Sequence, residues 1–447
     1  MRVFVTGLGM VSPLGVGVEN NWAKLRNGES NIQAIPKAWL EFGSFTSQVY
    51  APLIDLDYKT LGFTRSEIIQ RDPVSLLANI ATDEALNAAG IEIELLNKKT
   101  QQFRLQGVQA DRVGAYFGTA GGGLDSYLSN INHHVLKRTV DELRTIHKDS
   151  NDTQRLLDRF NIPKQLSPFT VSRVISNSIA SSTATKYAIN GPVRTTAHAC
   201  AAGTTAIIQG AELIRSGQAD IVLSGGAESY QDPFGAVFKS FDIAGSLLKP
   251  AENFALHESN RPFDEDRSGF LFSQGGSASL ILESEQHMEK RGAEPIGEVL
   301  AFAETFDAFS PMAPEPSGKF IRTMIENMLA DAKLNPSDID YVNAHGTGTN
   351  ANDEVEAKVI EQIFKKNVAV NSTKSMLGHT FGASGAIEAI VALLSIRDQE
   401  LHPSLNIENP IAELDFVTKR RQQKVEFALS QSFAFGGHNS GIIFAKP

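Results

Sequence analysis

The only cysteine in this 447-residue chain, Cys200, sits in Thr195-Thr-Ala-His-Ala-Cys-Ala-Ala-Gly-Thr-Thr205. Small residues flank it, so a substrate can approach the sulfur closely. A helix starting at Ala201 would aim its N-terminal N–H groups at the thiol. Such an environment can draw a thiol pKa from about 8.5 into the range of roughly 3.5–7.5, giving a thiolate without a dedicated base. On composition alone a buried structural cysteine is the favoured reading; the small-residue turn at a helix start brings the two readings level. Two histidines stand in comparable surroundings: His345 in Asn343-Ala-His-Gly-Thr-Gly-Thr-Asn350 and His379 in Lys374-Ser-Met-Leu-Gly-His-Thr-Phe-Gly-Ala-Ser384. Each has a glycine beside it at the end of an extended run, where loop residues reach into clefts. One such histidine is ordinarily structural. Two of them, with a cysteine and Lys374, form a set suited to donating hydrogen bonds where negative charge develops. Their spacing matches no metal site. Asp353 and Glu356 fall on the first turn of the following helix, where acidic side chains suit the N-terminal dipole; Glu356 is also placed to pair with Lys374.

The elements that must hold these residues alternate short β-branched runs with helices of small residues. Strands are expected at Arg2–Thr6, Arg112–Phe117, Asp220–Leu223, Ala278–Glu283, Tyr341–Asn343 and Gly441–Phe444. Helices are expected at Pro73–Ala89, Gly203–Ser216, Gly318–Ala332, Asp353–Phe364 and Gly382–Gln399. Alternation of this kind predicts an α/β architecture with helices packed on mixed sheets. A faint internal repeat aligns Cys200-Ala-Ala-Gly203 with His379-Thr-Phe-Gly382, each opening a small-residue helix. The polar stretch from Asp125 to Gln165, with Val135, Leu143, Leu156 and Leu157 at helical spacing, reads as a surface excursion.

Composition narrows the function classes. Net charge is −10, so nucleic acid is not an expected partner, and an acidic protein partner would need a local basic patch. A lone cysteine excludes an internal disulfide and a cysteine-rich metal site. The start, Met1-Arg-Val-Phe-Val-Thr6, leads directly into a strand-like run with no signal-peptide layout, and Ala386–Ile396, the most apolar helical stretch, is too short to span a bilayer and contains Glu388. A cytoplasmic protein with no membrane span is the expectation. Gly7-Leu-Gly9-Met-Val-Ser12 lacks the third glycine of a dinucleotide fingerprint, and Gly118-Thr-Ala-Gly-Gly-Gly123 lacks the ending of a phosphate loop. Neither supports a nucleotide cofactor.

Taken together, these residues resemble the β-ketoacyl-[acyl carrier protein] synthase I/II family. The likeness also runs through Val5-Thr-Gly-Leu-Gly-Met-Val-Ser-Pro-Leu-Gly15, Ser167-Pro-Phe169, Ser224-Gly-Gly-Ala-Glu228, Arg261-Pro-Phe-Asp264 and Phe433-Ala-Phe-Gly-Gly437. The resemblance implies a thiolase fold, two related halves (1–255 and 256–447) in a layered αβαβα arrangement, working as a dimer. It implies a decarboxylative Claisen condensation. Cys200 would take an acyl group from the phosphopantetheine arm of an acyl carrier protein, with no bound cofactor. The N–H groups of Cys200 and Phe435 would hold the thioester oxygen, and His345 and His379 would stabilise the enolate of a malonyl thioester. Lys374, held by Glu356, would tune the histidines. Thr347 and Thr349 match pantetheine contacts, Phe270 and Phe433 line the substrate, and Phe435 matches a gate.

The chain also departs from that pattern. Ser268 stands where relatives carry aspartate, Ser273-Gln-Gly-Gly-Ser277 replaces a Gly-x-Gly-Ala-Gly stretch, and Ala434 replaces a glycine, stiffening the gate loop. Around Ile68-Ile-Gln70 the chain is apolar where some relatives are basic, and Glu212 stands near another such position. These departures favour a specialised polyketide or polyene pathway over housekeeping fatty-acid synthesis. Two other readings compete. A chain-length-setting partner subunit would characteristically lack the cysteine, and a coenzyme A thiolase would need a second one. Homodimer and heterodimer with a related chain both remain open.

Overall fold

The computed structural model describes residues 1–146, 166–249 and 254–447. In the N-terminal half, β1 (Val3–Ser12) is followed by α1 (Pro73–Ala88), β2 (Val113–Gly118), α2 (Leu124–Ile146), α3 (Ser178–Lys186), β3 (Val193–Thr196), α4 (Ala202–Arg215), β4 (Ile221–Ser229) and β5 (Gly275–Ser284). The C-terminal half runs β6 (Gly297–Phe306), α5 (Lys319–Ala332), β7 (Tyr341–Asn343), α6 (Asn350–Phe364), β8 (Ala369–Asn371), α7 (Ser384–Asp398), β9 (Asp415–Phe416), β10 (Phe427–Phe433) and β11 (His438–Ala445).

Strand order shows two copies of one sheet. Outward from the centre, the first reads β1-β5-β4-β2-β3 and the second β6-β11-β10-β7-β8, with β9 beyond. In each, the two inner pairings are antiparallel and the next two parallel. Among the described residues the two join where β1 meets β6, through Phe4–Glu298 and Val5–Gly297. Helices α1 and α3 cover the outer face of the first sheet, α5 and α6 that of the second, and α4 and α7 pack against each other between the sheets. This is the expected αβαβα layering. Because β5 pairs with both β4 and β1, the expected division at 255/256 would cut a strand away from its own sheet. The topology divides the halves between Ser284 and Gly297.

Local chemistry accounts for the elements that matter most. Asp72 caps α1 by accepting from the Val74 N–H at 3.0 Å, with Pro73 in the first turn, where its missing N–H costs nothing. Helix α7 is buried without interruption from Ser384 to Ile396, as a helix apolar on all sides must be. Its crossing with α4 leaves no room for side chains: a Cβ at Gly203 would come within 2.9 Å of both the Ala386 nitrogen and the Gly382 oxygen.

The internal repeat is real, but its register differs from the expected one. One-turn 3₁₀ helices at Ala199–Ala201 and Phe381–Ala383 open α4 and α7, so Ala199 matches Phe381, Cys200 matches Gly382 and Gly203 matches Gly385. His379 lies three residues before the position equivalent to Cys200. The polar excursion begins as the long helix α2; its later part, residues 147–165 with Leu156 and Leu157, lies outside the described residues.

Candidate active site

Strand β3 leads to Ala199, whose φ of +44° puts a residue with a side chain in the left-handed region. That kink turns Cys200 into the heart of the molecule, where it is buried. Burial pushes the thiol up to about 12; the positive charge of Lys374 and the backbone N–H groups of Phe435 and Cys200 pull the other way. The expectation of a thiol acidified by its helix start is therefore corrected: loss of water outweighs the donors. The two N–H groups expected to hold a thioester oxygen thus both favour negative charge at the sulfur.

A side-chain partner is also present. His379 Nε2 lies 2.9 Å from Cys200 Sγ. The Phe381 backbone N–H donates to His379 Nδ1 at 3.3 Å, so the proton of the neutral ring sits on Nε2 and points at the sulfur. Phe381, at φ +51°, stacks on the His379 ring, with centroids 5.0 Å apart. His345 approaches edge-on, 5.5 Å from His379 between centroids. Lys374 Nζ donates to His345 Nδ1 at 3.2 Å and to the His345 carbonyl at 2.7 Å, which likewise leaves the proton on Nε2. Burial, with the Lys374 charge next, holds both histidines well below the usual imidazole range. Both are neutral donors at neutral pH.

Lys374 is not held by Glu356. Its ion pair is with Glu388, on α7, and both side chains are buried. Glu356 instead accepts four N–H groups: His345 N at 2.7 Å, Gly346 N at 2.8 Å, Asn352 Nδ2 at 3.1 Å and Gln431 Nε2 at 2.8 Å. Burial pushes Glu356 up to about 7, against these donors. With two donors at each oxygen no acceptor site is left for a proton, so the geometry is that of the carboxylate. Asp353 does the same for the next residues, accepting from Thr347 N, Gly348 N and Phe263 N at 3.0, 3.0 and 2.9 Å. Helix α6 starts at Asn350, earlier than expected, so only Asp353 lies in its first turn and Glu356 falls in the second; both clamp the His345 loop.

These side chains open on a cavity of 320 Å³ shared by Cys200, His345, His379, Thr347, Thr349, Phe270, Phe433 and Phe435. The two threonine hydroxyls lie 2.9 Å apart. Phe270 meets His379 edge-on at 5.4 Å and Phe433 meets His345 at 5.6 Å. Phe435 is followed by Gly436 and Gly437 at φ +94° and +91°, while the Ala434 N–H is tied to the His438 carbonyl at 2.9 Å. Ser268 Oγ donates to the Lys249 carbonyl at 3.0 Å and accepts the Lys249 N–H at 2.9 Å, a neutral clasp on the facing loop.

Residues 1–287 match the beta-ketoacyl synthase N-terminal domain and residues 296–408 its C-terminal domain. The chain belongs to the β-ketoacyl synthase family. It is 35% identical to a 3-oxoacyl-[acyl-carrier-protein] synthase 2 of Synechocystis, covering 100% of this chain and 98% of the relative. Identity to the protein of the same name from Coxiella burnetii is 32%, with the same coverage. Among solved structures, a type II polyketide ketosynthase in complex with its acyl carrier protein (AntDE:AntF) superposes with a TM-score of 0.80 at 28% identity, covering 100% of this chain and 99% of that one. The ishigamide ketosynthase/chain length factor follows at 0.79 and 27%, with the same coverage.

In this synthase, sequence reasoning missed two buried carboxylates. Glu388 carried a usable signal, being the single charge in the apolar run Ala386–Ile396. Glu228 accepts the N–H groups of Ala120 at 2.7 Å, Gly121 at 3.2 Å and Gly382 at 3.2 Å, and burial pushes it up to about 7. It lay in a quoted motif, yet nothing local marks it as the tie between β2's loop and the start of α7. Among the described residues no helix is long and apolar enough to cross a membrane.

Proposed function

We propose that this synthase joins an acyl chain carried on Cys200 to malonyl-[acyl carrier protein], yielding β-ketoacyl-[acyl carrier protein] and carbon dioxide. One observation carries the reading: two neutral histidines, each with its proton forced onto Nε2, line the same cavity as a lone buried cysteine.

In this reading the Cys200 sulfur bonds to the acyl carbonyl carbon, with the oxygen held by the N–H groups of Cys200 and Phe435. The carbonyl–sulfur bond of the incoming thioester breaks, and the thiol proton leaves with the pantetheine sulfur. A malonyl thioester then offers its carbonyl to His345 and His379. Its carboxylate departs as carbon dioxide, and the electron pair becomes an enolate held by the two Nε2–H donors. The enolate carbon attacks the acyl carbonyl, and Cys200 leaves as thiolate. Thr347 and Thr349 hold the pantetheine arm, which arrives with the carrier protein; Phe435 gates the thiol. Neutral donors suit this task because they answer charge only as it appears.

The relatives and solved neighbours support a carrier protein as partner and a dimer, formed with a second copy or a related chain. A cytoplasmic location belongs to the same reading. Ser268, Ala434 and helix α2 favour a specialised polyketide or polyene pathway. The chain-length-subunit reading is disfavoured by the assembled Cys200–His379 pair, and the thiolase reading by the single cysteine. The test measures the two half-reactions separately: acyl-Cys200 by intact-protein mass spectrometry, and carbon dioxide from radiolabelled malonyl-carrier protein. A chain that performs neither is not a condensing enzyme.

A further inference from the structure

Gly121 opens a glycine run that fits no phosphate loop, and it packs behind Tyr230, a residue that lines the substrate cavity. A Cβ added at Gly121 would come within 2.9 Å of Tyr230 Cε1 and of its hydroxyl, so the missing side chain is the space the tyrosine ring occupies. Tyr230 follows the end of β4, its N–H tied to the Gln274 carbonyl at 2.9 Å. The ring is buried and lines the cavity together with Ala120, Phe241 and Phe381. It meets Phe381 edge-on at 4.9 Å, and Phe381 stacks in turn on His379. Rings are therefore layered His379–Phe381–Tyr230, leading away from the reacting sulfur. At that end the walls are aromatic or methyl groups, a surface for hydrocarbon. Burial, with Glu228 next, raises the phenol well above its usual range.

We infer that Tyr230 is the end stop of the acyl pocket, and that Gly121 exists to seat it. The inference rests on the condensing-enzyme reading and adds to it a residue that sets the longest acyl chain Cys200 accepts. The stop is steric: the ring fills the volume that further methylenes would need, and an overlong chain must displace a side chain packed between Phe381 and a backbone loop.

The experiment offers the full chain a graded series of saturated acyl-pantetheine thioesters, hexanoyl to tetradecanoyl, and reads acyl-Cys200 by intact-protein mass spectrometry. Wild type should load up to a cut-off length. In Tyr230→Ala the ratio of loading just above that cut-off to loading below it should rise about tenfold, the discrimination that one or two methylenes carry in an apolar pocket. Tyr230→Phe should keep the wild-type cut-off. Gly121→Ala guards against a misfolded Tyr230→Ala: its methyl must displace the ring, so it should move the cut-off when Tyr230 is present and leave it unmoved in the Tyr230→Ala background. The same cut-off in wild type, Tyr230→Ala and Gly121→Ala would overturn the end stop while leaving the condensing reading intact. A cut-off in Tyr230→Phe shifted as far as in Tyr230→Ala would overturn the steric account. Failure of wild type to load any chain would overturn the condensing reading and the end stop with it.

Discussion

In the N-terminal half, the loop after β2 presents Ala120 to the cavity, its N–H and that of Gly121 bound by the buried Glu228. In the C-terminal half, the loop after β7 presents His345, its N–H and that of Gly346 bound by the buried Glu356. The central helices repeat the contrast. Ala199 and Phe381 make the same positive-φ entry, but the next residue is Cys200 in one half and Gly382 in the other. The fold has thus duplicated the means of holding a loop and starting a helix at the molecular centre, while the proposed chemistry is divided: a nucleophile from one half, imidazole donors from the other. Paired scaffolds can supply unlike groups to one cavity because each carboxylate clamp fixes backbone, not side-chain identity.

That division is tested most severely by Cys200→Ala. Acyl-enzyme and condensation should vanish completely, while release of carbon dioxide from malonyl-carrier protein continues, since the donors sit in the other half. Parallel loss of both activities in a protein with native circular dichroism would show that the halves do not act separately.

A second comparison sets Glu388 against Glu356 as partners of Lys374. Removing one member of a buried ion pair costs about 3–5 kcal/mol. Urea denaturation of Glu388→Ala should show a loss of that size, largely relieved when Lys374→Met is added. Glu356→Gln should gain no such relief from Lys374→Met, because its partners are N–H groups. Equal rescue of both carboxylate variants would contradict the pairing.

The converse of the cysteine variant is His345→Ala, which should still accept an acyl group. Decarboxylation should fall about 100- to 1,000-fold, the effect of losing one donor at a developing oxyanion, roughly 2.7–4 kcal/mol. Radiolabelled malonyl-carrier protein measures the one and mass spectrometry the other; a larger fall in acylation than in decarboxylation would reverse the assignment.

The smallest expected effect is that of pH. Both histidines are held well below their ordinary pKa, so the neutral donors are the populated forms above about pH 6.5 and are lost only as pH falls through the depressed values. Malonyl decarboxylation should therefore be nearly flat from pH 8 to 6.5. A two- to fourfold drop over that interval, about what one or two ordinary imidazoles would give, with carrier protein in excess, would mean that the rings titrate in an ordinary way.

Much of this was legible in the chain itself. Tyr341–Asn343 and the helix from Pro73 were readable because strand and helix preferences act over a few residues; the small residues around Cys200 and the glycines beside His345 and His379 marked all three as able to meet a substrate. Other features needed the packed molecule. The partner of Lys374 is a glutamate fourteen residues along on α7, not the Glu356 that sits near His345 in sequence, because α6 and α7 both had to be placed before either distance existed. The repeat had to be shifted by three residues, since small residues match in many registers and only the two positive-φ turns fix one. The β5 strand joined the first half through hydrogen bonds to β4 and β1, which spacing does not encode. Above all, the sequence indicated an acidic thiol from its helix start, while the structure buries that thiol and pushes it up to about 12. A helix N-terminus is local and can be read from spacing. Desolvation is a sum over everything that packs around an atom, so only the tertiary structure decides it.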